Sequence, residues 1–189
     1  RSLGFGKDRP DAPEDTYLVL VDNNSTDRTW DVLQDIKGRS PKHSVVLSRE
    51  VERGFVPARH RGVVATQDLA AELKVPLDEF VVLQADADTA YADGYAATMA
   101  RAISSTQNVL AEGISTPPTS FLQRCPEYYA KAQEVDRSMH GIVVEDDLDV
   151  IVDDKVCGYR LSDYFEWGGH RREFNAHGEE ILAETTRLF

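Results

Sequence analysis

The sequence predicts an α/β protein with a mostly parallel sheet flanked by helices on both faces. Three observations carry that prediction. Short apolar runs alternate with helical patterns through the first half of the chain, the order that builds parallel sheets. The runs are almost wholly apolar, as strands covered on both faces must be. Residues able to carry chemistry fall directly after the runs, at Asp22, Asn23 and Asn24, from Arg49 onward, and at Asp86 and Asp88. Strand carboxyl ends are where open α/β sheets bind ligands.

The first run, TYLVLVD (16–22), reads as a buried strand. STDRTWDVLQDI follows, with Trp30, Leu33 and Ile36 at near-helical spacing and Ser25 or Thr26 available to cap the helix start. SVVLS (44–48) is a second strand, and GFVPARHRGVVATQDLAAEL (54–73) a helix that tolerates Pro57 in its first turn. EFVVLQAD (79–86) supplies a third strand and DGYAATMARAI (93–103) a third helix. Regularity then fades. Residues 115–118 break the pattern, PEYYAKAQEVDRSM (126–139) reads as a helix, and EDDLDVIVDD (145–154) as an acidic, strand-like stretch of solvated surface. A short helix at LSDYFEW, a turn at Gly168 and Gly169, and a last helix over 179–188 complete the pattern.

With 189 residues the chain is long enough for one domain with a substantial core. A net charge of −12 argues against nucleic acid as a partner, since phosphate-backbone binding needs a basic face. A phosphate-bearing ligand then requires a metal or a few placed arginines. No apolar run approaches the ~20 residues of a membrane span, and the polar start RSLGFGKDRPDAPED has no signal-peptide pattern. Cys125 and Cys157 form no CxxC pair and read as reduced thiols of a cytoplasmic protein. Beginning at Arg1 and ending at Phe189 directly after a helical pattern, the chain reads as a fragment.

In VVLQADADTAY (81–91) an apolar strand runs into two carboxylates, although ionised groups lose hydration as they near a core. Hard oxygen ligands at i and i+2 can hold Mg2+ or Mn2+, and the metal a diphosphate; alternatively the two aspartates cap the turn with Thr89. VDNNSTD (21–27) reads as Asx-turn and helix-cap chemistry, or as Asp22 and Asn23 offering hydrogen bonds to a nucleotide base or ribose. A calcium loop is excluded, because Asp27 stands where the sharp turn needs Gly and Leu33 where a carboxylate must ligate. ERGFVPARHRG (52–62) sets Arg53, Arg59 and Arg61 about a helix start, as a phosphate site or as a solvated basic face. GGHRREFNAHGEE (168–180) ends in Glu179 and Glu180. These either deprotonate an acceptor hydroxyl or lie in a first helical turn, where the macrodipole favours negative charge. His170 and His177 read as structural.

Taken together these segments resemble the family 2 glycosyltransferases. YLVLVDNNSTDRT is similar to that family's second strand with its VD-x-x-S-x-D-x-T segment, and GFVPARHRG to its G-x-x-x-A-R-N-x-G helix start, with His60 where asparagine is common. VVLQADADT resembles the strand that enters the D-x-D motif. GYRLSDYFEWGGHRREFNAHGEEILAETTRL resembles R-x-x-x-F-x-x-x-GG-F followed by a Glu-Asp pair on a helix. The resemblance covers 16–103 well and 157–188 in part; 104–156 matches nothing. It implies the GT-A (nucleotide-diphospho-sugar transferase) fold, Rossmann-like, as a single domain over 1–189. The nucleotide-binding half would be 16–103 and the acceptor half 104–189, without the family's N-terminal strand, which has no counterpart before Tyr17.

The function so implied is a metal-dependent, inverting, hexosyltransferase-like enzyme. It would move a sugar from a nucleotide-sugar donor to the hydroxyl of a saccharide or lipid-linked acceptor, with Mn2+ or Mg2+ as cofactor. Asp22 and Asn23 would contact base and ribose, and Arg59 the base or diphosphate. Asp86 would approach the sugar, ribose or metal, and Asp88 would ligate the metal. Glu180, where the family has aspartate, would be the catalytic base, longer by one methylene and supported by Glu179. No Gln-x-x-Arg-Trp motif or membrane helix follows, so a processive membrane synthase is not indicated. Three other readings stay open: a nucleotidyltransferase on a related scaffold, a non-catalytic nucleotide-sugar-binding module, and a D-x-D-x-T/V phosphatase. Against the last, Ala90 stands where that motif needs Thr or Val.

Overall fold

The computed structural model describes residues 15–40, 44–106, 110–113, 117–128, 156–170 and 174–178, with single residues at 3, 130, 131, 134 and 172. Strand β1 (Leu18–Asn23) pairs in parallel with β2 (Val45–Glu50), Leu18 opposite Val45 and Asn23 opposite Glu50. Both are rich in β-branched residues, which suit a pleated, half-buried surface. Between them runs α1 (Thr29–Arg39), which starts where its apolar spacing from Trp30 predicts but later than a cap at Ser25 or Thr26 would set it. Asp27 sets that start: its Oδ1 accepts the Thr29 N–H at 2.9 Å and the Thr29 hydroxyl at 2.5 Å. Those two bonds also hold the Asp27 carboxyl below its ordinary pKa. Neither Ser25 nor Thr26 caps the helix.

Helix α2 (Phe55–Leu73) carries Pro57 in its first turn, as expected, and buries Val56, Val63, Leu69 and Ala70. After it come β3 (Val81–Leu83), α3 (Tyr95–Ser104), β4 (Ala111–Glu112), α4 (Thr119–Arg124), β5 (Cys157–Arg160) and α5 (Leu161–Glu166). Residues 126–128, 130, 131 and 134 are helical; the rest of the helix expected over 126–139 lies outside the described residues. So do the acidic run 145–154 and the helix expected over 179–188.

The sheet differs from the mostly parallel one that the sequence predicts. Among the described residues β1 and β2 form a parallel pair, and β5 lies between β3 and β4, antiparallel to both. The reason is β5. Its sequence, CGYR, is too short and too mixed to show as a strand, yet Cys157, Gly158 and Tyr159 are fully buried at the centre of the second sheet. The apolar residues of β1 and all of β3 are only partly buried, where coverage on both faces was expected.

Two features lock the second sheet in place. Arg160 donates from Nη1 to the Asp78 carbonyl at 2.7 Å and from Nη2 to the carbonyls of Ile103, Ser104 and Thr106 at 3.3, 3.0 and 3.3 Å. A cation at the carbonyl end of α3 satisfies acceptors the helix leaves orphaned and complements its dipole. The core forms where Val63 and Ala70 of α2 meet Cys157 and Tyr159 of β5 and Leu161 and Tyr164 of α5. The same α2 packs on β1 and β2, so it touches both sheets, whereas α1 covers the first and α3 the second. No helix among the described residues is long and apolar enough to cross a membrane.

Candidate active site

Each predicted residue before Glu179 is in view: Asp22 and Asn23 end β1, Arg59 lies in the second turn of α2, and Asp86 and Asp88 follow β3. Asp22, the penultimate residue of β1, is only 5 % exposed. A carboxylate so buried needs compensation. Its Oδ1 accepts the Ser25 N–H at 3.3 Å, and its Oδ2 lies 3.8 Å from Arg49 Nε. The Arg49 guanidinium in turn lies over the Trp30 ring, 3.8 Å from its centre. Strand end and helix start thus build a shelf of carboxylate, guanidinium and indole.

Asn23 makes long-range bonds rather than a local Asx turn. Its Nδ2 donates to the Glu52 carbonyl at 2.5 Å and its Oδ1 accepts the Gly54 N–H at 3.1 Å. Asn24 adds a bond from Nδ2 to the Val51 carbonyl at 3.1 Å. Both amides therefore continue the β1–β2 pairing past its last ladder bond and fix the loop that starts α2. In this structure the Asn23 side chain is spent on that loop.

The three arginines of the α2 start divide their work. Arg61 Nε donates to Ser48 Oγ of β2 at 2.7 Å, a structural tie rather than a solvated face. The Arg53 carbonyl accepts from Arg172 Nη2 at 3.1 Å, and Arg172 also pairs with Glu52, which docks the segment after the Gly-Gly turn on the β2–α2 loop. Arg59 reaches the second sheet: its Nη2 lies 3.3 Å from Asp86 Oδ1, with side-chain exposures of 14 % and 33 %. Arg59 and Asp86, predicted to share a site, meet directly.

Past β3, the Gln84 N–H still donates to the Cys157 carbonyl at 2.8 Å, and then the chain turns. The Asp86 carbonyl accepts the Thr89 N–H at 3.3 Å. Asp88, at the tip, is exposed and makes no hydrogen bond or ion pair among the described residues. No group of three or more histidine, cysteine or acidic side chains gathers among the described residues. Such a donor set does not form a self-sufficient metal cage. It fits a hard cation held by one or two carboxylates and completed by phosphate oxygens and water, the usual manner of Mg2+ and Mn2+ with nucleotides. Glu179 and Glu180 lie outside the described residues.

His60 and His170, far apart in sequence, are joined by the fold. Tyr164 Oη lies 2.9 Å from His60 Nδ1 and 3.0 Å from His170 Nδ1, and it accepts the His170 N–H at 3.1 Å. Gly169 makes the fit possible. Its φ is +70°, and a Cβ there would lie 2.9 Å from the Tyr164 ring. Burial first, then Arg59 and His60, pushes His170 down to about 3. The folded protein therefore keeps this imidazole neutral, while the unfolded chain protonates it below about pH 6.5. Stability from this group is full above about pH 7 and falls as the pH drops toward 3, by about 2 kcal/mol between pH 7 and pH 5. Urea unfolding at both pH values should show the wild type losing that much more than His170→Phe, in which the titrating ring is gone.

The arrangement defines an α/β protein whose ionisable and hydrogen-bonding groups gather at strand ends, around a helix start. Residues 9–124 match the family model of glycosyl transferase family 2, more than half of the chain, and the chain belongs to that family. It is a glycosyltransferase by membership, and the family uses a nucleotide-sugar donor and an acceptor. No curated protein and no solved structure gives a significant match. The matched segment contains Asp22, Asn23, Arg59, Asp86 and Asp88; Glu179 and Glu180 lie beyond it.

Proposed function

We propose that the chain is a GT-A glycosyltransferase that passes a hexosyl group from a nucleoside diphosphate sugar to an acceptor hydroxyl, with inversion and with Mn2+ or Mg2+ bound. The observation that carries this reading is the acidic turn after β3, where Arg59 clasps Asp86 and Asp88 stands exposed beside it. Asp88, with Asp86 adjacent, would hold the cation, which supplies charge neutralisation to the diphosphate when bound. Asp22 offers a buried acceptor for a base N–H or ribose hydroxyl, and Arg49 on Trp30 a flat cationic shelf beside it. Arg59 sets the Asp86 carboxylate and adds positive charge next to the diphosphate. Asn23 serves by shaping the β2–α2 loop. Glu180 is proposed as the base that takes the acceptor proton, with Glu179 in support, because the family pattern places an acidic pair after the Gly-Gly turn.

The test is a thermal-shift panel of nucleoside diphosphates with Mn2+ or with EDTA. A rise in melting temperature with at least one diphosphate, larger in Mn2+, is expected. Absence of any shift across the panel would overturn the reading. Release of pyrophosphate from a nucleoside triphosphate and a sugar phosphate would instead favour nucleotidyl transfer.

A further inference from the structure

The loop over residues 86–91 is closed by the side chain of its own last residue. Tyr91 Oη accepts the Asp86 N–H at 2.9 Å and lies 3.5 Å from the Asp86 carbonyl, toward which its hydrogen can point. The ring is 8 % exposed and rests against Tyr95 of α3, with ring centres 4.8 Å apart. The residue that leads out of the acidic turn thus reaches back to where the turn begins.

Physical reasons make this contact more than packing. The last ladder bond of β3 is made by Gln84, so the Asp86 N–H has no strand to bind and needs another acceptor. A phenol is well suited to the task, since its ring is anchored by burial while its hydroxyl seeks a polar partner. Asp86 is then held at two points: its backbone by Tyr91, hung on α3, and its carboxylate by Arg59, carried on α2. Asp88, two residues on and otherwise unheld among the described residues, inherits its placement from that grip.

We infer that Tyr91 is a positioning residue, which orders the acidic turn so that Asp86 and Asp88 present their carboxylates to a cation–diphosphate ligand. The inference rests on the function proposed above, and one set of measurements separates the two. Uridine and guanosine diphosphate are titrated into wild type and Tyr91→Phe with Mn2+ and again with EDTA, and amide exchange is followed at Asp86 and Val82. Wild type is expected to bind at least one diphosphate, and Tyr91→Phe to bind it about tenfold more weakly in Mn2+ but equally in EDTA. The Asp86 amide should exchange about tenfold faster in the variant, with Val82 unchanged. A variant that binds like wild type in Mn2+ overturns the positioning role, as does one that weakens equally in Mn2+ and EDTA, the mark of a merely structural contribution. Should wild type bind neither diphosphate, the functional reading falls, whatever the exchange data show at Asp86.

Discussion

Asp88→Ala is expected to abolish the Mn2+-dependent part of the thermal shift and to lower sugar transfer on the order of 10²–10³-fold, the scale of losing several kcal/mol of charge stabilisation at a leaving diphosphate. The melting temperature of the ligand-free protein should hardly move, because Asp88 is exposed and holds no described neighbour. Asp86→Ala makes an informative contrast. It removes a partner of the largely buried Arg59, so it should lower both ligand binding and the ligand-free melting temperature. Circular dichroism melts with and without diphosphate, read beside an activity assay, separate the two variants. An Asp88→Ala protein with an undiminished Mn2+-dependent shift would place the donor site elsewhere.

The second large effect is expected from Gly158→Val, which changes no charge and no proposed ligand-binding residue. Gly158 lies in the middle of β5, and a Cβ there would stand 2.5 Å from Leu83 Cδ2, 2.9 Å from Ile103 Cδ1 and 2.9 Å from the Val82 carbonyl. The two side chains can give way; the carbonyl belongs to the neighbouring strand and cannot without breaking the ladder. Valine adds two methyls to that conflict, so a loss of about 3 kcal/mol is expected, with a fall in melting temperature of roughly 6–12 °C for a chain of this size. Because β3 leads into the acidic turn, diphosphate affinity should drop in the same variant. A Gly158→Val protein as stable as wild type would mean that α3 is not seated on β5 as described.

The elements legible in the sequence are those with strong periodicity. β1, β2 and α2 fall within a few residues of their predicted spans, and Pro57 sits in the first turn of its helix. Arg59 and Asp86 are brought to one site by the family resemblance, Arg59 at a helix start and Asp86 past a strand, and the fold puts them 3.3 Å apart. What stayed hidden depends on long-range partners. CGYR offers too few apolar residues to declare a strand, and its pairing with β3 makes the second sheet antiparallel where the sequence predicts a mostly parallel one. Asn23 looks like a ligand-facing amide until the loop at Glu52 and Gly54 is folded against it. Arg160 reads as one letter of a family pattern, but the fold shows it gathering the last carbonyls of α3. The meeting of His60, Tyr164 and His170 spans more than a hundred residues of sequence, beyond any local signal.

Helix α2 packs on the first β ladder and shares a core cluster with β5 of the second, while among the described residues the two ladders share no backbone bond. Cooperativity in such a body is not automatic, since each ladder can breathe as its own unit with the helix as their common hinge plate. A molecule spanning from Asp22 on one ladder to Asp86 on the other would act as a cross-brace, and two loosely coupled opening motions would become one.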